Sequence, residues 1–84
     1  MNPIDAFECV KPYVEHKTKG FLEEYGVGEY FDDLIVAAKD AIMKRSLTSY
    51  FDVLSNGAVT IVEQRTGKSR EEVEQLYRSF YLNG

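Results

Sequence analysis

Eighty-four residues, 44% of them apolar and 29% charged, make one domain and exclude a disordered chain. A domain of this size buries about 60–65% of its unfolded surface, so its stability rests heavily on its eleven aromatic residues. The net charge of −4, with nine acids against four lysines in residues 1–42 and five acids against six Lys or Arg in residues 43–84, provides no basic stripe and argues against a nucleic-acid partner.

Other classes fall on the same composition. The longest unbroken apolar run, Leu34–Ala38, is far short of the roughly 20 residues that a membrane-spanning helix needs. No basic stretch followed by an apolar core opens the chain, so a cytoplasmic location is expected. The single cysteine, Cys9, has no partner for an intramolecular disulfide, which suits a reducing compartment. A lone cysteine of this kind is expected to be a small buried hydrophobe. No linker or repeat divides the chain, and residues 1–84 read as a single domain.

The chain opens as a helix: Asn2 suits the N-cap, Pro3 the first helical position, and Asp5 the positive end of the helix dipole. Ile4, Phe7, Val14, Phe21 and Tyr25 follow a helical spacing, with polar Lys11 and Thr18 in the same stripe. Pro12 disfavours helical geometry at Lys11, and Gly20 follows a polar run. The expectation is a short helix over 3–10 and another from 12, kinked or broken near 17–20. Gly26-Val27-Gly28 then reads as a helix exit and loop, because a phosphate loop would need more glycines and a preceding strand.

Phe31, Leu34, Ile35, Ala38, Ala41, Ile42 and Arg45 recur at i, i+3, i+4, i+7, the clearest helical period in the chain. Asp32 and Asp33 in the first turn and Lys44 and Arg45 in the last match the dipole. Val36, Ala37 and Met43 widen the apolar surface, which predicts a central helix packed by several neighbours or one that contributes to a subunit interface. Residues 46–65 allow two readings. Asn56-Gly57 between two β-branched and aromatic runs is a hairpin signal for about 50–63. The same pair can cap a helix over 48–55 ahead of a second over 58–66, and that reading leaves fewer apolar side chains in water. Ser69 and Glu72 then form a capping box, and Val73, Leu76, Tyr77, Phe80 and Tyr81 line one face of the last helix.

No metal, cofactor or catalytic constellation emerges. One His and one Cys cannot supply three or four zinc ligands, and the acids lack the spacing of a calcium loop. His16 lies among Glu15, Lys17 and Lys19 and reads as solvated. An enzyme is not expected. The stretch Thr66–Tyr81 resembles a helix-turn-helix, with Gly67 in the turn and Arg65, Lys68 and Arg70 around it as phosphate contacts. Glu63, however, stands where that motif has a small residue, and Glu71, Glu72 and Glu74 would face the groove of DNA. The second candidate is the acidic-aromatic junction of Glu23, Glu24, Tyr25, Glu29, Tyr30, Asp32 and Asp33, a composition suited to a basic protein partner.

The sequence therefore predicts an all-α bundle of four to five short helices, with an α+β form carrying a hairpin at about 50–63 as the alternative. Its expected role is a non-enzymatic protein-binding or regulatory module without a cofactor. The partner is a protein with a basic surface or a second copy bound through the helix over 30–45. A helix-turn-helix-like nucleic-acid accessory protein is the alternative function.

Overall fold

The structure, a computed structural model, describes residues 2–83. The chain is all-α: helix α1 spans Pro3–Glu24, a 3₁₀ turn follows at Gly28–Tyr30, and then come α2 (Phe31–Lys44), α3 (Leu47–Thr66) and α4 (Arg70–Asn83). Four helices satisfy the expected number, but α1 and α3 are 22 and 20 residues long rather than short.

Local chemistry sets the helix ends as anticipated. Asp5 N–H donates to Asn2 Oδ1 at 2.9 Å, with Pro3 just inside the helix. At the other end of α1, Gly26 takes a φ of +74°, Val27 N–H donates to Leu22 O at 2.9 Å and Gly26 N–H to Glu23 O at 3.0 Å. These are the paired bonds of a Schellman termination, and the contact that accompanies it is made by buried Val27 and Leu22. Gly67 ends α3 in the same left-handed region, with a φ of +75°. Of the expected capping box only half forms: Glu72 N–H donates to Ser69 Oγ at 3.2 Å, whereas the Glu72 carboxylate lies 4.0 Å from Lys68 Nζ and, among the described residues, accepts no bond from Ser69 N–H.

The predicted interruptions do not occur, and each has a physical reason. α1 runs unbroken through Pro12 and residues 17–20. Pro12 and Glu8 are both exposed, so the backbone acceptor that proline leaves unpaired faces water, while buried Phe7 and Val14 hold the helix on either side. Gly20 is a contact point: a Cβ there would sit 3.0 Å from Phe80 Cζ of α4. Likewise α3 crosses Asn56-Gly57 without a cap or a hairpin turn, and 50–63 is helical throughout. Gly57 lies against Leu34 of α2, where a Cβ would meet Leu34 Cδ1 at 2.2 Å. The glycine sets the closest approach of two helices.

The Arg45-Ser46 link is so short that α2 and α3 fold back on each other as an antiparallel pair. α3 makes the most extensive contact with the other three helices; α2 packs chiefly on α3 and only slightly on α1, which corrects the expectation of a central α2. Its buried residues are Leu34, Ala38 and Ala41, and Val36 and Met43 are left 67% and 87% exposed on its outward face. Cys9 is also exposed, against expectation, because it projects from the side of α1 opposite Phe7 and Val14.

Nine of the eleven aromatic rings pair edge-on or tilted, in two groups. Phe7, Tyr50 and Phe51 join the first half of α1 to the start of α3, with centroids 5.3–5.6 Å apart. Phe21, Tyr25, Tyr77 and Phe80 join the second half of α1 to α4. Tyr13 and Tyr81 extend that group toward the end of the chain. Lys17, although 92% covered, rests its ammonium 5.7 Å from the centroids of both Tyr13 and Phe80.

Two buried phenols are held by hydrogen bonds across the bundle. The Tyr50 hydroxyl donates to the Glu15 carboxylate, which also pairs with Lys11 Nζ at 3.3 Å. Tyr77 donates to the Tyr81 hydroxyl at 3.3 Å, and Tyr81 donates to Val14 O at 3.4 Å. Since Tyr77 has given its only proton, Thr18 donates to it at 3.0 Å. Burial, and then the hydrogen bond to Glu15 and that carboxylate's charge, push the Tyr50 phenol well above its ordinary range. Burial does the same for Tyr81. The folded chain thus keeps protons that the unfolded chain releases from about pH 10 upward. The resulting stabilisation is fully present below that pH and is lost as pH rises through the folded-state values. Urea midpoints taken from pH 8 to 11 should fall above about pH 10, with a shallower fall in Tyr50→Phe. An equally steep fall in that variant would refute the assignment to Tyr50.

Candidate functional site

The acidic-aromatic junction is built by the termination of α1, the 3₁₀ turn and the first turn of α2. Glu23, Glu24, Glu29, Asp32 and Asp33 are all exposed, and among the described residues none of them is in an ion pair. Tyr30 is 46% exposed and belongs to none of the aromatic pairs. Tyr25 differs. Its ring packs on Phe21 at 5.3 Å, its carbonyl accepts a hydrogen bond from Arg65 Nε at 3.3 Å, and burial followed by the charge of Glu24 raises its phenol pKa. Tyr25 therefore ties α1 to α3 more than it faces outward.

The junction opens onto a cleft that sequence reasoning did not anticipate. An open trough of about 580 Å³ runs between α2 and α3, with Tyr30, Asp33, Leu34, Ala37 and Arg45 on one wall. The other wall carries Asp52, Val53, Asn56, Gly57, Thr60 and Ile61, which fall at i, i+1, i+4, i+5, i+8 and i+9 along α3. That spacing is a helical face, and it was the signal available in the sequence. It is masked when Asn56-Gly57 is taken as a turn. Of the predicted junction residues, Tyr30 and Asp33 line the trough; Glu23, Glu24, Tyr25, Glu29 and Asp32 do not.

The three basic residues of the helix-turn-helix alternative do surround the turn at Gly67, but all three have partners within the chain. The Arg70 guanidinium donates to Asn56 Oδ1, Thr60 Oγ1 and Glu63 Oε1 at 3.1–3.2 Å, bracing the start of α4 against α3. Arg65 bonds the Tyr25 carbonyl, and Lys68 lies within 4.0 Å of the Glu72 carboxylate. Glu63, which departs from the motif's small residue, is the acidic partner of Arg70 at 3.2 Å.

His16 is exposed, and among the described residues no three His, Cys, Asp or Glu side chains come together as a metal-binding group. Among the same residues no helix is long and apolar enough to cross a membrane. No family model, curated protein or solved structure matches this chain.

Proposed function

We propose that this chain is a protein-binding module with no reaction of its own, recognising a partner that presents a basic surface to the junction between α1 and α2. The observation that carries this reading is the set of five exposed carboxylates, Glu23, Glu24, Glu29, Asp32 and Asp33, which among the described residues have no cationic partner, around the half-exposed Tyr30. Such a patch raises the local concentration of a basic protein and speeds encounter, while the aromatic ring supplies apolar contact area. A regulatory role is part of the same proposal, as is a cytoplasmic location, for which the single cysteine is the support.

The test immobilises the chain, retrieves its partner from extract of its own cells, and repeats this with Glu29, Asp32 and Asp33 all changed to lysine. Reversal of these rim charges is expected to slow association by about tenfold or more, and added salt should do the same to the unaltered chain. Capture that is indifferent to both changes, or tight binding of duplex DNA that depends on Lys68, would overturn the reading. Sedimentation of the pure chain addresses a second copy as partner. The exposed Val36 and Met43 favour that variant of the proposal, and Met43→Lys should then shift a dimer to monomer.

A further inference from the structure

We infer that the trough between α2 and α3 is the seat of a short amphipathic helix of a partner protein, apolar along one face and carrying two basic residues about two turns apart. The inference rests on the protein-binding reading and names the ligand of this open trough.

Shape is the first argument. Leu34, Ala37, Val53, Gly57 and Ile61 give the trough an apolar floor, and the absent side chain at Gly57 with the small one at Ala37 keeps it concave. Two antiparallel helices leave such a furrow on each side of their contact, and a third helix fills it well because its apolar stripe meets both walls. Within this bundle α1 and α4 cover other sides of α3, whereas the furrow lined by Ala37 and Val53 stays open. From Asp52 to Ile61 it extends about 13 Å at 1.5 Å per residue, room for two to three turns of a docking helix.

Charge selects the occupant. Asp33 stands at the end nearest Thr60 and Ile61, Asp52 at the other, and among the described residues neither is in an ion pair. Eight residues of α3 separate these ends, so lysine or arginine at i and i+7 of the incoming helix would meet both carboxylates, with apolar residues at i+3 and i+4 between them. The junction acids add a negative field at the Tyr30 mouth. Arg45, which lines the same trough, orients the ligand, because a cation favours the carbonyl end of a helix. A second copy of this chain, with its net charge of −4 and its acid-rich first half, is repelled by the same field.

The inference can be tested with the whole chain and two synthetic helices of one Leu/Ala pattern, one with lysine at i and i+7 and the other with glutamate. In a titration of the isotopically labelled protein, the lysine helix is expected to shift the amides of Ala37, Val53, Gly57 and Ile61. The glutamate helix should bind about tenfold more weakly or worse, and Asp33→Lys with Asp52→Lys should reverse the preference. Ala37→Phe fills the trough from an exposed position and should abolish those shifts, while an unchanged spectrum elsewhere shows that the fold is kept. Lysine-helix shifts confined to residues 23–33, or no shifts at all, would overturn the inference. So would a dimer that Ala37→Phe converts to monomer, since the occupant would then be a second copy. The two readings fail separately. If reversal of the junction charges abolishes partner capture and Ala37→Phe leaves it intact, the trough is not the site while the module reading stands.

Discussion

Phe21→Ala is expected to remove about 4 kcal/mol of stability, within the range for truncating a fully buried phenylalanine. The ring is 1% exposed and meets Tyr25, Tyr77 and Phe80 at centroid distances of 5.3, 5.0 and 5.8 Å. It is thus the principal apolar link from the second half of α1 to α4. Collapse around the missing ring is limited, because its three neighbours are themselves stiff aromatics. For a domain of this length the total stability is about 4–13 kcal/mol, so the loss is a large fraction of it. Urea denaturation should show a lower midpoint with an unchanged slope. Tyr30→Ala is the control, since that ring is half-exposed and outside the aromatic pairs, and it should cost no more than about 0.5 kcal/mol. A loss below about 1.5 kcal/mol for Phe21→Ala would mean that α4 is not held by this cluster.

Gly57→Ala should destabilise the chain, opposite in sign to the usual result for a helix interior. Alanine ordinarily gains about 1 kcal/mol over glycine there through backbone entropy. At this position the new Cβ would lie 2.2 Å from Leu34 Cδ1 and 3.4 Å from Leu34 Cγ. Either α2 must move off α3 or the buried Leu34 side chain must swing into the trough. Overpacking of that kind costs about 1–3 kcal/mol, so the net effect is about 1 kcal/mol of destabilisation, rising to about 3 kcal/mol for Gly57→Val. The sign is the test. A variant as stable as the parent would show that the helices part freely. Combining Gly57→Ala with Leu34→Ala should cost less than the two singly, because the clash vanishes with its partner. A swung Leu34 would also fill the trough, so Gly57→Ala should weaken the lysine helix described above.

Much of the candidate site could not be read along the chain, although its parts could. Tyr30 and Asp33 stood out by composition, as exposed polar and aromatic residues at a helix junction. Their cross-wall partners Asp52, Val53 and Ile61 lie about 20 residues or more away and carry no local signal of a shared cleft. Arg65 and Arg70 were legible as basic residues near a turn. Whether their heads face water or the chain depends on α1 supplying the Tyr25 carbonyl and on α3 supplying Asn56, Thr60 and Glu63.

What the sequence alone determined are the features whose physics closes within about one helical turn. The Asn2 cap, the stop at Gly26, the dipole-matched ends of α2, the end of α3 at Gly67 and the Ser69 start of α4 are all of this kind. Orphan amides and carbonyls find their partners among near neighbours, so local spacing is enough. Tertiary structure alone decided the fate of Pro12, Gly20 and Gly57, each read along the chain as an interruption and each found inside an unbroken helix. The bias against helix at such a residue is about 1 kcal/mol for glycine and about 3 for proline. Burial of Phe7, Val14 and Phe21 on one helix, and of Tyr50, Leu54 and Val62 on the other, outweighs it. Contact with Phe80 and Leu34 then turns two of those glycines from weak points into the places where helices meet.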